Sequence, residues 1–227
     1  MTDWFRIPCV DDASTLAFES RLARSRRPAN RSQYLRIQAL ELADIGKHEK
    51  SIAMLKRAAD IDPNTLELCL ILEQRAECEK ALGHTEAAIE YFRKSIERVR
   101  EKPNIKGRAT LHFPLWIAEN EMRPYFAEAL EILDEFWNPH PIFPLEEFRQ
   151  HACKAILFAG IGRINEAKTE AFLAMSAAQK TESKARYHRS TGLITDSDLP
   201  LVNRMKNLSA SKQSLPSWIS ALFKGKK

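Results

Sequence analysis

His151 and Cys153 are the one close histidine–cysteine pair in this chain of 227 residues. A nucleophile and its base must face one another, but residues two apart on a helix point about 200° apart around the axis. Cys153 also lies among Ala152, Ala155, Ile156 and Leu157, which reads as a helix core. His48 and His84 each follow a glycine at a turn, and His112 sits inside the apolar run LHFPLW. The densest cluster of reactive types is Arg186, Tyr187, His188 and Arg189. Two guanidinium groups beside a phenol and an imidazole could hold a carboxylate or phosphate through charge-assisted hydrogen bonds. The same side chains could instead pin the segment to its neighbours. Walker, GxGxxG, HExxH and GxSxG sequences are absent. Cys9, Cys69, Cys78 and Cys153 are widely spaced without a CxxC pair, so neither a metal site nor a cofactor is expected. No residue is assigned a catalytic role, and a non-enzyme is expected.

The elements that must carry these side chains are helices. Only 7 Gly occur, too few for a chain that turns sharply many times, while Ala, Leu, Glu, Lys and Arg are abundant. Net charge is +5, but residues 201–227 hold Arg204, Lys206, Lys212, Lys224, Lys226 and Lys227 with no acid, leaving the remainder at −1. A body that wraps a phosphate backbone needs its own basic face, so nucleic acid is a poor partner, reachable only through the tail. No apolar run of membrane-spanning or signal-peptide length appears, which points to a cytoplasmic protein.

A small residue recurs once per helical hairpin. GHTEAAIEYF (Gly83 to Phe92) sets Ala88 five residues after a glycine and Phe92 one turn later; GKHEKSIAML sets Ser51 and Leu55, and GRINEAKTEA sets Ala167 and Ala171. RPYFAEALEIL supplies Ala129 and Leu133, with Pro124 in place of the glycine. The anchors Ser51, Ala88, Ala129 and Ala167 are separated by 37, 41 and 38 residues. Ala39, Ala76 and Ala155 precede Gly46, Gly83 and Gly162 by seven, and Pro63 and Pro141 follow their anchors by twelve. This arrangement resembles the tetratricopeptide repeat over about residues 31–180, with longer units than its usual period of about 34. It implies an all-α right-handed superhelix of about four hairpins, with helices near 31–45 and 48–60, 65–82 and 85–101, 107–120 and 124–137, 145–159 and 164–180.

Outside the repeats, residues 1–30 read as a capping segment with a helix at about 12–24. Residues 181–227 read as a non-repeat segment with a helix from Leu199 to Leu208. In that segment Leu215, Trp218, Ile219, Leu222 and Phe223 form a single apolar stripe before three lysines. That stripe reads as a cover for the last repeat, with weak membrane-surface binding as the alternative. Asp3-Trp4-Phe5-Arg6, NRSQYLRIQA and RYHRSTGLI are together similar to a group of uncharacterised bacterial tetratricopeptide-like proteins, a likeness that implies a fold and a bacterial origin but no activity.

The resemblance implies a concave groove lined by first helices, where Gln33, Arg36, Glu73, Glu77, Lys80 and Arg149 would meet a protein or peptide. Relatives that clamp a carboxyl terminus use Lys and Asn there; Glu73 and Glu77 depart from that pattern. An arginine run (Arg21, Arg24, Arg26, Arg27, Arg31, Arg36) is the other basic feature. The expected function is an adaptor or scaffold. The alternatives are an enzyme or small-anion binder at Arg186–Arg189, or weak nucleic-acid or membrane-surface association through the tail.

Overall fold

The computed structural model describes residues 3–63, 66–105 and 107–210, and every regular element among them is helical. Two compact units divide the chain, Met1–Ala109 and Thr110–Lys227. The boundary falls inside the stretch expected to form the repeats. The apolar stripe Leu215–Phe223 lies outside the described residues.

The first unit holds α1 (Asp12–Arg24), α2 (Pro28–Asp44), α3 (His48–Ile61), α4 (Leu68–Ala81) and α5 (Thr85–Glu101). Helix α1 begins where the Asp11 carboxylate accepts the Ser14 backbone N–H at 2.7 Å and the Ser14 hydroxyl answers at the Asp11 backbone, a reciprocal cap that satisfies otherwise orphaned donors. Helix α2 starts three residues earlier than the spacing predicts, because Pro28 has no N–H to lose at the first helical position. Helices α2 and α3 pair, as do α4 and α5, and α3 packs on α4.

The small residues do what their spacing predicts. Ala39, Ala76 and Ala88 are fully buried and Ser51 is 1% exposed, so paired backbones approach closely. The Ser51 hydroxyl donates to the Ala39 carbonyl at 2.7 Å and accepts from the Cys78 thiol at 3.3 Å. Leu55 and Phe92 fill the grooves beside them and are likewise fully buried. Each such side chain contributes roughly 1.5–3 kcal/mol by leaving water.

The second unit holds α6 (Ala109–Glu119), α7 (Phe126–Glu135), α8 (Pro144–Gly160), α9 (Ile164–Ala178) and α10 (Leu199–Ala210). Helices α8 and α9 form a close hairpin around buried Ala155, Ala167 and Ala171, and α10 packs on α9 through buried Leu201 and Met205. Between them residues 181–198 fold back along α8. Lys184 N–H bonds the Ile142 carbonyl, and Leu145 N–H bonds that of Gly192.

The turns after α2, α4, α6 and α8 close alike. Gly46, Gly83 and Gly162 have φ of +75°, +79° and +82°, and the N–H of the following residue reaches back five positions. This is the left-handed helix stop that glycine adopts without steric cost. In the remaining turn the left-handed residue is Glu121, with φ +51°. Pro124, expected to replace the glycine, lies instead in the 3-10 turn Arg123–Tyr125 that leads into α7. That turn also explains why α7 begins at Phe126, two residues later than predicted, although Ala129 and Leu133 are buried as the repeat requires.

Candidate protein-binding surface

On α2, the exposed Gln33 and the half-buried Arg36 stand one turn apart, so both reach the start of α4. Gln33 Nε2 donates to Glu67 Oε1 at 2.9 Å, and Arg36 Nε donates to Glu67 Oε2 at 2.5 Å. Only 16% of the Arg36 side chain and 23% of that of Glu67 remain accessible, so this pair is little weakened by solvent. Further along α4, Glu77 and Lys80 pair one turn apart. The strip Gln33–Arg36–Glu67–Glu77–Lys80 thus carries two cations and two anions, balanced among themselves.

Glu73 is not part of that open strip. It is 1% exposed, and its carboxylate accepts the Arg108 backbone N–H at 3.1 Å while Arg108 Nε lies 3.4 Å away. The segment entering α6 is therefore folded onto α4 through Glu73. Arg149 lies in the second unit, where its Nη2 donates to Asp198 Oδ1 at 2.9 Å. Asp198 is 5% exposed and also accepts the Thr195 N–H and hydroxyl at 3.0 and 2.8 Å. Burial opposes the charge on Asp198, but the Thr195 bonds and Arg149 outweigh it and hold the carboxyl below its ordinary range.

Arg186, Tyr187, His188 and Arg189 form an exposed tight turn. The Ser183 hydroxyl donates to the His188 carbonyl at 2.9 Å, and the Ser183 N–H to that of Arg189 at 2.7 Å. Tyr187 is 79% exposed with the Arg186 guanidinium over its ring, and Arg189 faces Glu182 at 3.3 Å. Bonds from Ser183 to the turn's carbonyls, rather than the side chains of Tyr187 and His188, hold the turn in place.

The thiols are turned inward, whereas His84 and His188 are exposed. All four thiols are buried, and burial raises each above its usual range, Cys153 well above it. His151 Nδ1 lies 2.6 Å from Glu170 Oε2 with Trp137 edge-on to its ring, and His84 Nδ1 lies 2.9 Å from Glu79 Oε2. Among the described residues no cluster of His, Cys, Asp or Glu is arranged to hold a metal, and no helix is long and apolar enough to cross a membrane.

Glu67 is the residue of this strip that helix periodicity missed. It lies at the cap of α4, just outside the periodic run, and its partners are 34 and 31 residues away. The available signal was an acid four residues after the Asp62-Pro63 break.

The tetratricopeptide-repeat family model matches residues 37–65 and 71–98, which are the hairpins of the first unit. Repeats of this type generally mediate protein–protein interaction. No curated protein matches the chain. In fold the chain is similar to the crystal structure of BtubC (BKLC) from P. vanneervenii, with a TM-score of 0.56 and 14% identity over 95% of this chain and 88% of that one.

Proposed function

We propose, starting from the two tetratricopeptide repeats of the first unit, that this protein is a non-catalytic adaptor whose α2–α4 surface receives a protein or peptide. The observation that carries the reading is the pair of repeats, folded as ready-made hairpins before any ligand arrives. Little ordering entropy then opposes association. Gln33, Arg36, Glu77 and Lys80 would meet the partner, with Glu67 as a fifth member. Because the strip is electrically balanced, a segment of mixed charge suits it better than a run of acids. Arg149 serves a different purpose, docking Asp198. The burial of all four thiols adds support for a role without covalent chemistry.

A photoreactive residue placed at Gln33, with another at the exposed Glu97 of α5 as control, tests the reading in cells that make the protein. A discrete adduct from position 33 and none from position 97 is expected. Equal labelling from both positions, or labelling from 97 alone, would remove the α2–α4 surface from consideration.

A further inference from the structure

Helix α1 covers the α2–α3 hairpin with one side alone. Phe18 and Leu22, one turn apart, are buried in a core with Leu35 and Leu55. Along the opposite side stand Ala13, Leu16, Ala17, Ser20 and Ala23, all exposed. Spacings of three and four residues set them on a single stripe. Leu16, at 73%, is the most exposed aliphatic side chain among the described residues. Helix α10, the outer helix beside α8–α9, turns the exposed Asn203, Lys206 and Asn207 outward instead. The outer helix of a repeat array ordinarily presents a polar face to stay soluble. Helix α10 has one and α1 does not.

Charge divides α1 along its length. Its start carries Asp11 and Asp12, and its last turn carries Arg21 and Arg24, with Arg26 and Arg27 following before α2. All six are exposed. Glu19, the other acid of the helix, is held by Arg57 at 2.7 Å. Asp12 and the four arginines have no ion-pair partner among the described residues.

We infer that this face of α1 docks the same face of a second copy of the chain, with the two helices antiparallel. The acidic start of each α1 then meets the basic end of the other, and the helix dipoles oppose. A parallel pair would set like charges together. In the antiparallel register that levels Asp12 with Arg24, Ala13 comes level with Ala23 and Leu16 with Ser20. The small side chains let the backbones approach, and each Leu16 leaves water. Because the same patch serves both copies, the contact closes as a twofold dimer and cannot grow into a fibre. One helix pair makes an interface at the small end of the specific range, so the dimer is weak and salt-sensitive. The contact uses none of the α2–α4 strip and stands without the adaptor reading.

The full chain is followed by sedimentation velocity from about 1 to 200 μM, at low and high salt. A monomer–dimer equilibrium is expected, weakened several-fold by salt. Leu16→Glu should weaken it by about tenfold or more with an unchanged melting temperature, since the position is exposed. Asp12→Arg makes both ends of α1 basic, and the double variant Arg24→Glu, Arg27→Glu turns its basic end acidic. Each alone should weaken the dimer by at least about threefold, and an equimolar mixture of the two should restore it. A chain that stays monomeric throughout the range would overturn the inference. So would a dimer indifferent to Leu16→Glu, or reversed variants that fail to pair with one another. A monomer carried by Leu16 onto phosphatidylserine vesicles would assign the face to a lipid surface instead, and equally end it.

Discussion

The hairpins α2–α3 and α8–α9 are each covered by a segment outside the repeat pattern, and the two covers are built from different forces. Over α2–α3 the cover is aromatic. Trp4 meets Phe18 at 5.4 Å and Tyr34 at 5.0 Å, Phe5 stacks on Tyr34 at 4.9 Å, and Phe18 and Leu22 join the core around Leu35, Leu55 and Ala58. Beside α8–α9 charge is added to the apolar contact of Leu201 and Met205. Arg149 holds Asp198, Lys180 holds Glu147 at 2.6 Å, and backbone bonds of Lys184 and Leu145 tie the return segment down. Apolar contact is indifferent to salt and proton concentration, whereas ion pairs and depressed carboxyl groups are not. The two ends should therefore fail under different conditions.

The largest effect that would break the contrast comes from Phe18, 3% exposed. Phe18→Ala should cost about 3–5 kcal/mol in urea unfolding, with no dependence on salt. Asp198→Ala should cost about 2–3 kcal/mol, because it leaves the Arg149 guanidinium without its acceptor and removes the bonds to Thr195. Its readout is faster amide exchange confined to α10 and residues 181–198; exchange spread evenly over the chain would refute the local role given to this pair.

Acid sharpens the same contrast. The Asp198 carboxyl is depressed in the folded protein, so its stabilisation is complete above the ordinary carboxyl value of about 3.9 and fades as pH falls through the folded value. Protection of α10 amides, relative to their intrinsic exchange at each pH, should fall on acidification before that of the Phe18–Leu35 core does, and Asp198→Asn should remove most of that difference. Asp11 is depressed too, chiefly by its bond from Ser14, but it is fully exposed and should fray only the first turn of α1. The smallest effect lies at Glu121. Glu121→Gly should raise stability by a few tenths to about 1 kcal/mol in thermal unfolding, since relief of the left-handed strain exceeds the loss of an exposed pair with Arg204.

What periodicity could reveal was the hairpin framework. Gly46, Gly83 and Gly162 announce their turns because glycine is the residue that suits a left-handed stop, and Ala39, Ser51, Ala76 and Ala88 announce close packing because larger side chains would not fit. Glu121 announced nothing: a non-glycine residue in that conformation carries no compositional mark, so the nearby proline drew the expectation instead. The charged surfaces were legible only in part. Gln33 and Arg36 were singled out by the family resemblance, but the acceptors that neutralise Arg36 and Arg149 lie 31 and 49 residues away, in a cap and a return segment without periodicity. The resemblance put Glu73 in the groove, whereas the course of the chain at Arg108 covers it.

The Ser51 hydroxyl touches three helices at once, donating to α2 and accepting from α4 while it rides on α3. Such a junction gives the two repeats a common melting event: α4 cannot peel away without freeing the group that also fastens α3 to α2. Loss of one repeat should therefore unzip its neighbour, and any ligand gripping either hairpin would slow the opening of both.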